Sequence, residues 1–159
     1  MPDHRTSSKR RKWILLLLYA PQSEGREKVI RGNTRLVKGV FLIEQMFSEK
    51  FPGFDGTGFA FEAYKYGPFD EDIYHTLETL ESDGLVQIQS TEHNEEGIIQ
   101  LTEEGEETAE KYWQPLPPEH KSQLSWIKGK HVNQPVAQLL SFVYNKYPDM
   151  AQNSEYKFS

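Results

Sequence analysis

Apolar residues recur roughly every three or four positions in several stretches of the chain, the spacing that places them on one face of an α-helix. The clearest stretch predicts a helix over residues 33–50, with Asn33 or Thr34 as its N-terminal cap. The apolar face of this helix is formed by Leu36, Val40, Ile43 and Phe47. An earlier stretch is apolar on every side, which predicts a buried first helix over about residues 8–20.

The same spacing predicts a helix that follows Asp70 and ends at Gly84, a residue type that often follows the last turn of a helix. Two more helices are predicted at about residues 118–128 and 135–147. Residues 21–33, between the first two predicted helices, are polar and charged and are predicted to form a loop.

Two short apolar segments predict a β-hairpin with strands at residues 86–89 and 98–101 and an acidic loop between them. Thr102 is expected to cap a further helix that ends near residue 113. Three helices, a hairpin and a further helix, in this order, indicate a winged helix-turn-helix. We therefore predict an α+β, mostly helical fold, with an all-helical bundle carrying an extra hairpin as the alternative.

The proline-rich segment at residues 114–118 is the one candidate boundary within the chain. We accordingly predict a flexible N-terminus at residues 1–8, a winged-helix domain at 9–113, and a C-terminal helical extension at 114–159 that packs on it. The last predicted helix is apolar and aromatic enough to form a homodimer interface as an alternative to core packing.

Charge is segregated along the chain. Residues 1–50 carry a net charge of +6, residues 51–113 carry −14, and residues 114–159 carry +2. The acidic block contains the predicted third helix and hairpin, which in a winged helix commonly face DNA. Because protein affinity for nucleic acid comes largely from Lys and Arg at phosphates, this docking mode is disfavoured.

No pattern typical of catalysis or of cofactor binding occurs. The chain has no cysteine, which is compatible with a reducing cytoplasm, and its five histidines lack metal-ligand spacing. Glycine-rich phosphate-binding motifs do not occur. The apolar run at residues 13–20 is too short to span a bilayer and is predicted to be a buried helix, not a signal peptide. We predict a cytoplasmic protein that is not an enzyme, with no cofactor, no metal and no membrane association.

Several segments resemble one family. NTRLVKGVFL at residues 33–42 resembles the GRTRLxKLxFLL helix of small uncharacterised prokaryotic winged-helix proteins, with Gly39 at a position that is usually Leu. YKYGPF at residues 64–69 resembles the YxYGPF motif of the same proteins, which are related to SocA-like antitoxins. LTEEG at residues 101–105 and FVYNKYP at residues 142–148 extend the likeness. The resemblance implies a winged-helix regulatory or interaction protein without catalytic residues.

Two functional hypotheses follow from the charge pattern and the resemblance. The first is an antitoxin-like or defence-associated adaptor that binds a basic protein partner. Its candidate contact residues are Tyr66, Phe69, Asp72, Glu78 and Glu81. The alternative is a DNA-binding transcriptional regulator that uses its basic N-terminal half, in which Arg31, Arg35 and Lys38 can share one helical face if the first turn begins at Arg31. Its candidate contact residues are Lys9, Arg10, Arg11, Lys12, Arg31, Arg35 and Lys38.

Overall fold

The computed structural model describes residues 4–21, 29–91 and 94–158. It confirms an α+β, mostly helical fold with a small antiparallel sheet. The helices are α1 (His4–Tyr19), α2 (Asn33–Lys50), α3 (Asp72–Ser82), α4 (Glu103–Trp113), α5 (Pro118–Ile127) and α6 (Val136–Lys146). A π-helical turn (Lys128–Val132) follows α5, and a 3₁₀ turn (Pro148–Ala151) follows α6. The strands are β1 (Val29–Arg31), β2 (Glu62–Tyr64), β3 (Gly67–Phe69), β4 (Val86–Thr91) and β5 (Asn94–Leu101).

The larger sheet has the order β1-β5-β4, and both pairings are antiparallel. Its β4–β5 hairpin is the predicted one, with strands that are longer than expected. Strand β1 lies in the segment that was predicted to be a loop, so that part of the prediction was wrong. Ile30 of β1 is fully buried opposite Ile99 of β5. Three residues are too few for an alternating pattern to be visible in the sequence.

The C-terminal half of helix α1 lies in the centre of the molecule, which explains why residues 13–18 are apolar on every side. It packs against α2, α3, α4 and α5. Residues 13–18 are at most 4% exposed, and the Trp13 ring meets the Phe47 ring edge-on at 5.4 Å. The helix begins at His4, several residues before its predicted start, so residues 4–8 are helical. Among the residues that the structure describes, no helix is both long enough and apolar enough to cross a membrane.

Helices α5 and α6 both pack against α2, and residues from both belong to the same hydrophobic cluster as α1. Gly39 of α2 makes this packing close. A Cβ at Gly39 would lie 2.7 Å from Leu17 Cδ2 and 2.8 Å from Val132 Cγ2. Gly39 therefore lies where α1 and the π-helical turn both approach α2.

The helix starts agree with the sequence in part. Thr102 caps α4 as predicted, since its hydroxyl accepts the Gly105 N–H at 3.0 Å. The cap of α2 is Gly32, at φ 93°, and not Asn33 or Thr34. Asp70 precedes α3, and its carboxylate accepts the N–H of Asp72 at 2.9 Å, so it satisfies one of the open donors of the first turn.

The π-helical turn places His131 between two aromatic rings, with Phe142 stacked at 3.8 Å and Trp126 edge-on at 4.6 Å. Its Nε2 atom is buried and has no hydrogen-bond partner among the described residues. Burial disfavours the charged imidazolium and lowers the pKa of His131 below its ordinary value of 6.5.

A dependence of stability on pH follows from this lowered pKa. Below a pH of about 6.5 the unfolded chain binds the proton before the folded chain does, so the free energy of unfolding should fall as the pH decreases. We expect His131→Phe to be less sensitive to acid than the wild-type chain in urea titrations at pH of about 7.5 and about 5.5. The control His75→Phe, at an exposed position on α3, should keep the wild-type sensitivity. Equal sensitivity of His131→Phe and the wild-type chain would contradict this assignment.

Candidate partner-binding surface

The YGPF sequence at residues 66–69 forms part of a β-hairpin that precedes α3. Strands β2 and β3 pair with Tyr64 opposite Gly67 and Glu62 opposite Phe69, which leaves Lys65 and Tyr66 as a two-residue turn. Gly67 has φ 89°, a conformation that side chains disfavour, and a Cβ there would lie 3.1 Å from the Tyr144 ring. The hairpin is therefore held against α6 through a position that only glycine fits easily.

Three aromatic rings form a row that starts on this hairpin and continues onto α3. Phe69 stacks on Tyr64 with ring centroids 5.3 Å apart and contacts Tyr74 at 5.6 Å. Tyr64 is 50% exposed and Tyr74 is 38% exposed, so the row is open to solvent. Tyr66 lies at the hairpin tip and is 52% exposed. Of these aromatic residues, only Tyr66 and Phe69 are candidate contacts from the sequence alone.

Acidic side chains adjoin the aromatic row. Glu71, Tyr74, Glu78 and Glu81 follow each other at helical spacings, so they lie along one side of α3, and all four are exposed. Glu62, also exposed, lies opposite Phe69 on the hairpin. Among the described residues, none of these four glutamates forms an ion pair. We call this surface the acidic aromatic face; its members are Glu62, Tyr64, Phe69, Glu71, Tyr74, Glu78 and Glu81.

Asp72 belongs to a different contact. Its carboxylate lies 3.3 Å from Nη2 of Arg10, whose Nε donates to the Gly58 carbonyl at 2.7 Å. The Arg10 guanidinium also lies 5.1 Å from the centre of the Phe59 ring. Asp72 therefore joins α3 to α1, and we do not assign it to the acidic aromatic face.

We call the candidate DNA contacts Lys9, Arg10, Arg11 and Lys12 the basic arm, and other cations of this arm also pair with the acidic block. Arg11 donates to Asp83 at 2.8 Å and to the Thr79 hydroxyl at 3.1 Å, both at the C-terminal end of α3. Lys9 contacts the Asp55 carboxylate at 3.2 Å. The arm is part of α1, and much of its charge is used within the molecule. Exposed pairs such as these add little to stability, but they fix the direction in which the arginines point.

The remaining candidate DNA contacts do not form one helical face. Arg31 lies in β1, before α2 begins, and its carbonyl accepts a hydrogen bond from Nη1 of Arg35 at 2.9 Å. Nε of Arg35 donates to the Gln134 carbonyl at 3.1 Å. Lys38 is only 3% exposed, which contradicts its predicted role at a surface. The interpretation of Arg31, Arg35 and Lys38 as one basic helical face was wrong, because the helix starts two residues after Arg31.

One basic surface does remain on α1. His4, Arg5, Ser8, Lys9 and Lys12 line a shallow open groove on its N-terminal half. Lys12 lies over the Trp13 ring at 5.3 Å. Within the described part of the chain, no three His, Asp or Glu side chains converge to hold a metal ion.

No protein-family model, no curated protein and no solved structure matches this chain. The choice of the acidic aromatic face as the candidate binding surface therefore rests on its geometry in this structure alone. Glu62, Glu71, Tyr64 and Tyr74 were not selected from the sequence. The spacing of residues 71, 74, 78 and 81 could have indicated one shared helical side, whereas the contact of Tyr74 with the hairpin is tertiary.

Proposed function

We propose that this protein is a non-catalytic winged-helix adaptor that binds a basic protein partner through the acidic aromatic face. The observation that carries the proposal is the exposed side of α3, where Glu71, Glu78 and Glu81 accompany Tyr74 and the helix has no Lys or Arg. The proposed regulatory role, antitoxin-like or defence-associated, is in line with the family resemblance.

The winged-helix part of the proposal is supported by the order of the elements. Helices α2 and α3 precede the β4–β5 hairpin, and β1, which lies between α1 and α2, pairs with β5. In this reading α3 has the position of a recognition helix and β4–β5 that of a wing. The acidity of α3 favours a protein partner, because each carboxylate about 4 Å from a phosphate would cost about 1 kcal/mol even at the dielectric constant of bulk water.

The chemistry of the face fits arginine best. A guanidinium can stack on the exposed Tyr74 ring, a contact that contributes about 0.5–1 kcal/mol at exposed sites. The Tyr64 ring already has Phe69 stacked on it and Nζ of Lys65 at 5.9 Å from its centre. The planar fork of a guanidinium can also make two parallel hydrogen bonds to one carboxylate, such as that of Glu62. Carboxylates at the margin would mainly accelerate encounter, while the rings would supply contact energy.

The second candidate function, DNA binding, is favoured by one observation, the basic groove on α1. Its weakness is that Arg10 and Arg11 point toward α3 and pair with Asp72 and Asp83. Lys9 at the groove already contacts Asp55. Fewer positive charges are therefore available to phosphates at the groove on α1 than the number of Lys and Arg residues in the sequence suggests.

The acidic aromatic face can be tested with a labelled oligo-arginine peptide as the probe. We expect Glu71→Gln, Glu78→Gln and Glu81→Gln combined to weaken its binding about tenfold, since exposed charge pairs contribute about 0.5 kcal/mol each. Tyr74→Ala should weaken it further. The measurement is fluorescence anisotropy at low salt.

A matched control separates this face from general acidity. Glu103, Glu107 and Glu110 are exposed at helical spacings on α4. Combined replacement of these three by glutamine changes the net charge equally and should leave the affinity for the peptide nearly unchanged. Equal losses in the two triple variants would reject a defined binding face.

A further inference from the structure

The end of the chain lies along the outer edge of β2. Nδ2 of Asn153 donates to the Ala63 carbonyl at 3.1 Å, and the backbone N–H of Glu155 donates to the Lys65 carbonyl at 2.6 Å. The first acceptor belongs to β2 and the second to the turn that follows it, so the segment runs beside β2 on the side away from β3.

The register of the hairpin explains why this edge accepts a further segment. Ala63 lies opposite Pro68, which has no N–H to donate. The pair is therefore a non-hydrogen-bonded one, and the polar backbone groups of Ala63 are directed away from β3. An edge of this kind is a template for another extended segment.

The side chains of the end segment alternate as those of an edge strand do. Ser154 and Tyr156 are half-buried, whereas Glu155 and Lys157 are exposed. The Ser154 hydroxyl lies 2.7 Å from the Tyr144 hydroxyl, and the Phe158 ring contacts both Tyr156 and Tyr144.

The attachment is slight. The backbone N–H of Glu155 bonds to the turn after β2, the Asn153 side chain bonds to β2 itself, and the Lys65–Glu155 ion pair has a separation of 4.0 Å between two exposed side chains. Phe158 remains 51% exposed despite its ring contacts. A segment held by so few interactions can leave the edge without unfolding the core.

We propose that residues 153–158 are a displaceable strand that fills a peptide-binding edge on β2. The ligand class that fits is an extended peptide segment with the same pattern, a small polar residue followed by aromatic residues at alternate positions. Such a partner would add to the edge of β2 and would take the Lys65 carbonyl in place of Glu155. This proposal does not rest on the acidic aromatic face, because the edge and its ligand are different.

The test uses full-length protein and a labelled peptide with the sequence of residues 152–159. Glu155→Pro in the protein removes the N–H that Lys65 accepts and should release the chain's own segment. We expect this variant to bind the peptide at least about tenfold more tightly than the wild-type chain, whose edge is open only part of the time. Anisotropy titrations give both affinities.

Three comparisons make the result specific. Glu155→Gln in the protein keeps the N–H and should bind the peptide as weakly as the wild-type chain. A peptide with proline at the position of Glu155 should not bind. Tyr144→Phe, which removes the hydroxyl beside Ser154, provides a second way to loosen the segment and should give intermediate affinity. Equal binding by all proteins, or binding by none of them while circular dichroism shows native helix content, would overturn the proposal.

Discussion

Replacing Gly105 with alanine should lower the free energy of unfolding by about 3 kcal/mol, the upper part of the usual range for overpacking. A Cβ at Gly105 would overlap the carbonyl oxygen of Leu85 and would lie 2.9 Å from its carbonyl carbon. That carbonyl cannot move freely, since it accepts the N–H of Thr102 at 3.0 Å. The first turn of α4 and the start of the β4–β5 hairpin meet at this point.

The direction of this effect is opposite to that expected from helix propensity. Alanine is favoured over glycine within a helix by about 1 kcal/mol, so a role determined by local preference alone would make the variant more stable. The measurement is urea unfolding followed by circular dichroism. Gly53→Ala is the control, because a Cβ there meets nothing within 4 Å, and it should change stability by less than about 0.5 kcal/mol. A Gly105→Ala chain as stable as the wild type would refute the close approach of Leu85.

Replacing Lys128 with methionine should lower the free energy of unfolding by about 2–3 kcal/mol. Lys128 is fully buried, and its ammonium donates to the carbonyls of Leu18 at 2.6 Å and Ala20 at 2.9 Å. These carbonyls are at the C-terminal end of α1, where the helix itself provides no donors and where a cation is favoured by the helix dipole. Methionine keeps most of the apolar stem but leaves both acceptors without this donor.

Lys128→Met also removes the cost of burying a charged ammonium, which opposes the loss of its hydrogen bonds. The sign of the change in the free energy of unfolding therefore shows which of the two contributions is larger. Lys128→Ala should be less stable than Lys128→Met, because it also leaves a cavity. The exposed Lys130 offers the control Lys130→Met, for which we expect a change below about 0.5 kcal/mol. Urea unfolding of the three variants measures these differences. A Lys128→Met chain more stable than the wild type would mean that desolvation of the ammonium outweighs its hydrogen bonds.

The spacing of apolar residues predicted most of the helices and the β4–β5 hairpin, but not the contacts between them. The face of α2 at Leu36, Val40, Ile43 and Phe47 was visible because a long helix repeats its pattern several times, and all four residues are buried. Strand β1 has only three residues and is recognised only through its pairing with β5. Gly105 and Lys128 carry no signal of their own in the sequence, since each is defined by a backbone group that lies far from it along the chain.

The contacts at the candidate surface were likewise not predictable from the sequence. Net charge along the sequence showed an acidic and a basic half, but it could not show which charges would face each other. The structure pairs Arg10 with Asp72 and Arg11 with Asp83, so the basic arm and part of the acidic helix neutralise each other. The carboxylates of α3 that form no ion pair with the basic arm are the ones available to a partner. Which carboxylates these are depends on the orientation of α1 against α3.

In our proposal, the folded chain offers an acidic aromatic face to a basic partner, while much of its basic arm is used in ion pairs within the molecule. The most direct test titrates the wild-type protein onto a labelled oligo-arginine peptide and onto a labelled random DNA duplex, in parallel, at about 50 and about 200 mM salt. We expect saturable binding of the peptide and no binding of the duplex at either salt concentration. Duplex binding that collapses at the higher salt, together with no binding of the peptide, would refute the proposed adaptor role and favour a DNA regulator that uses the groove on α1.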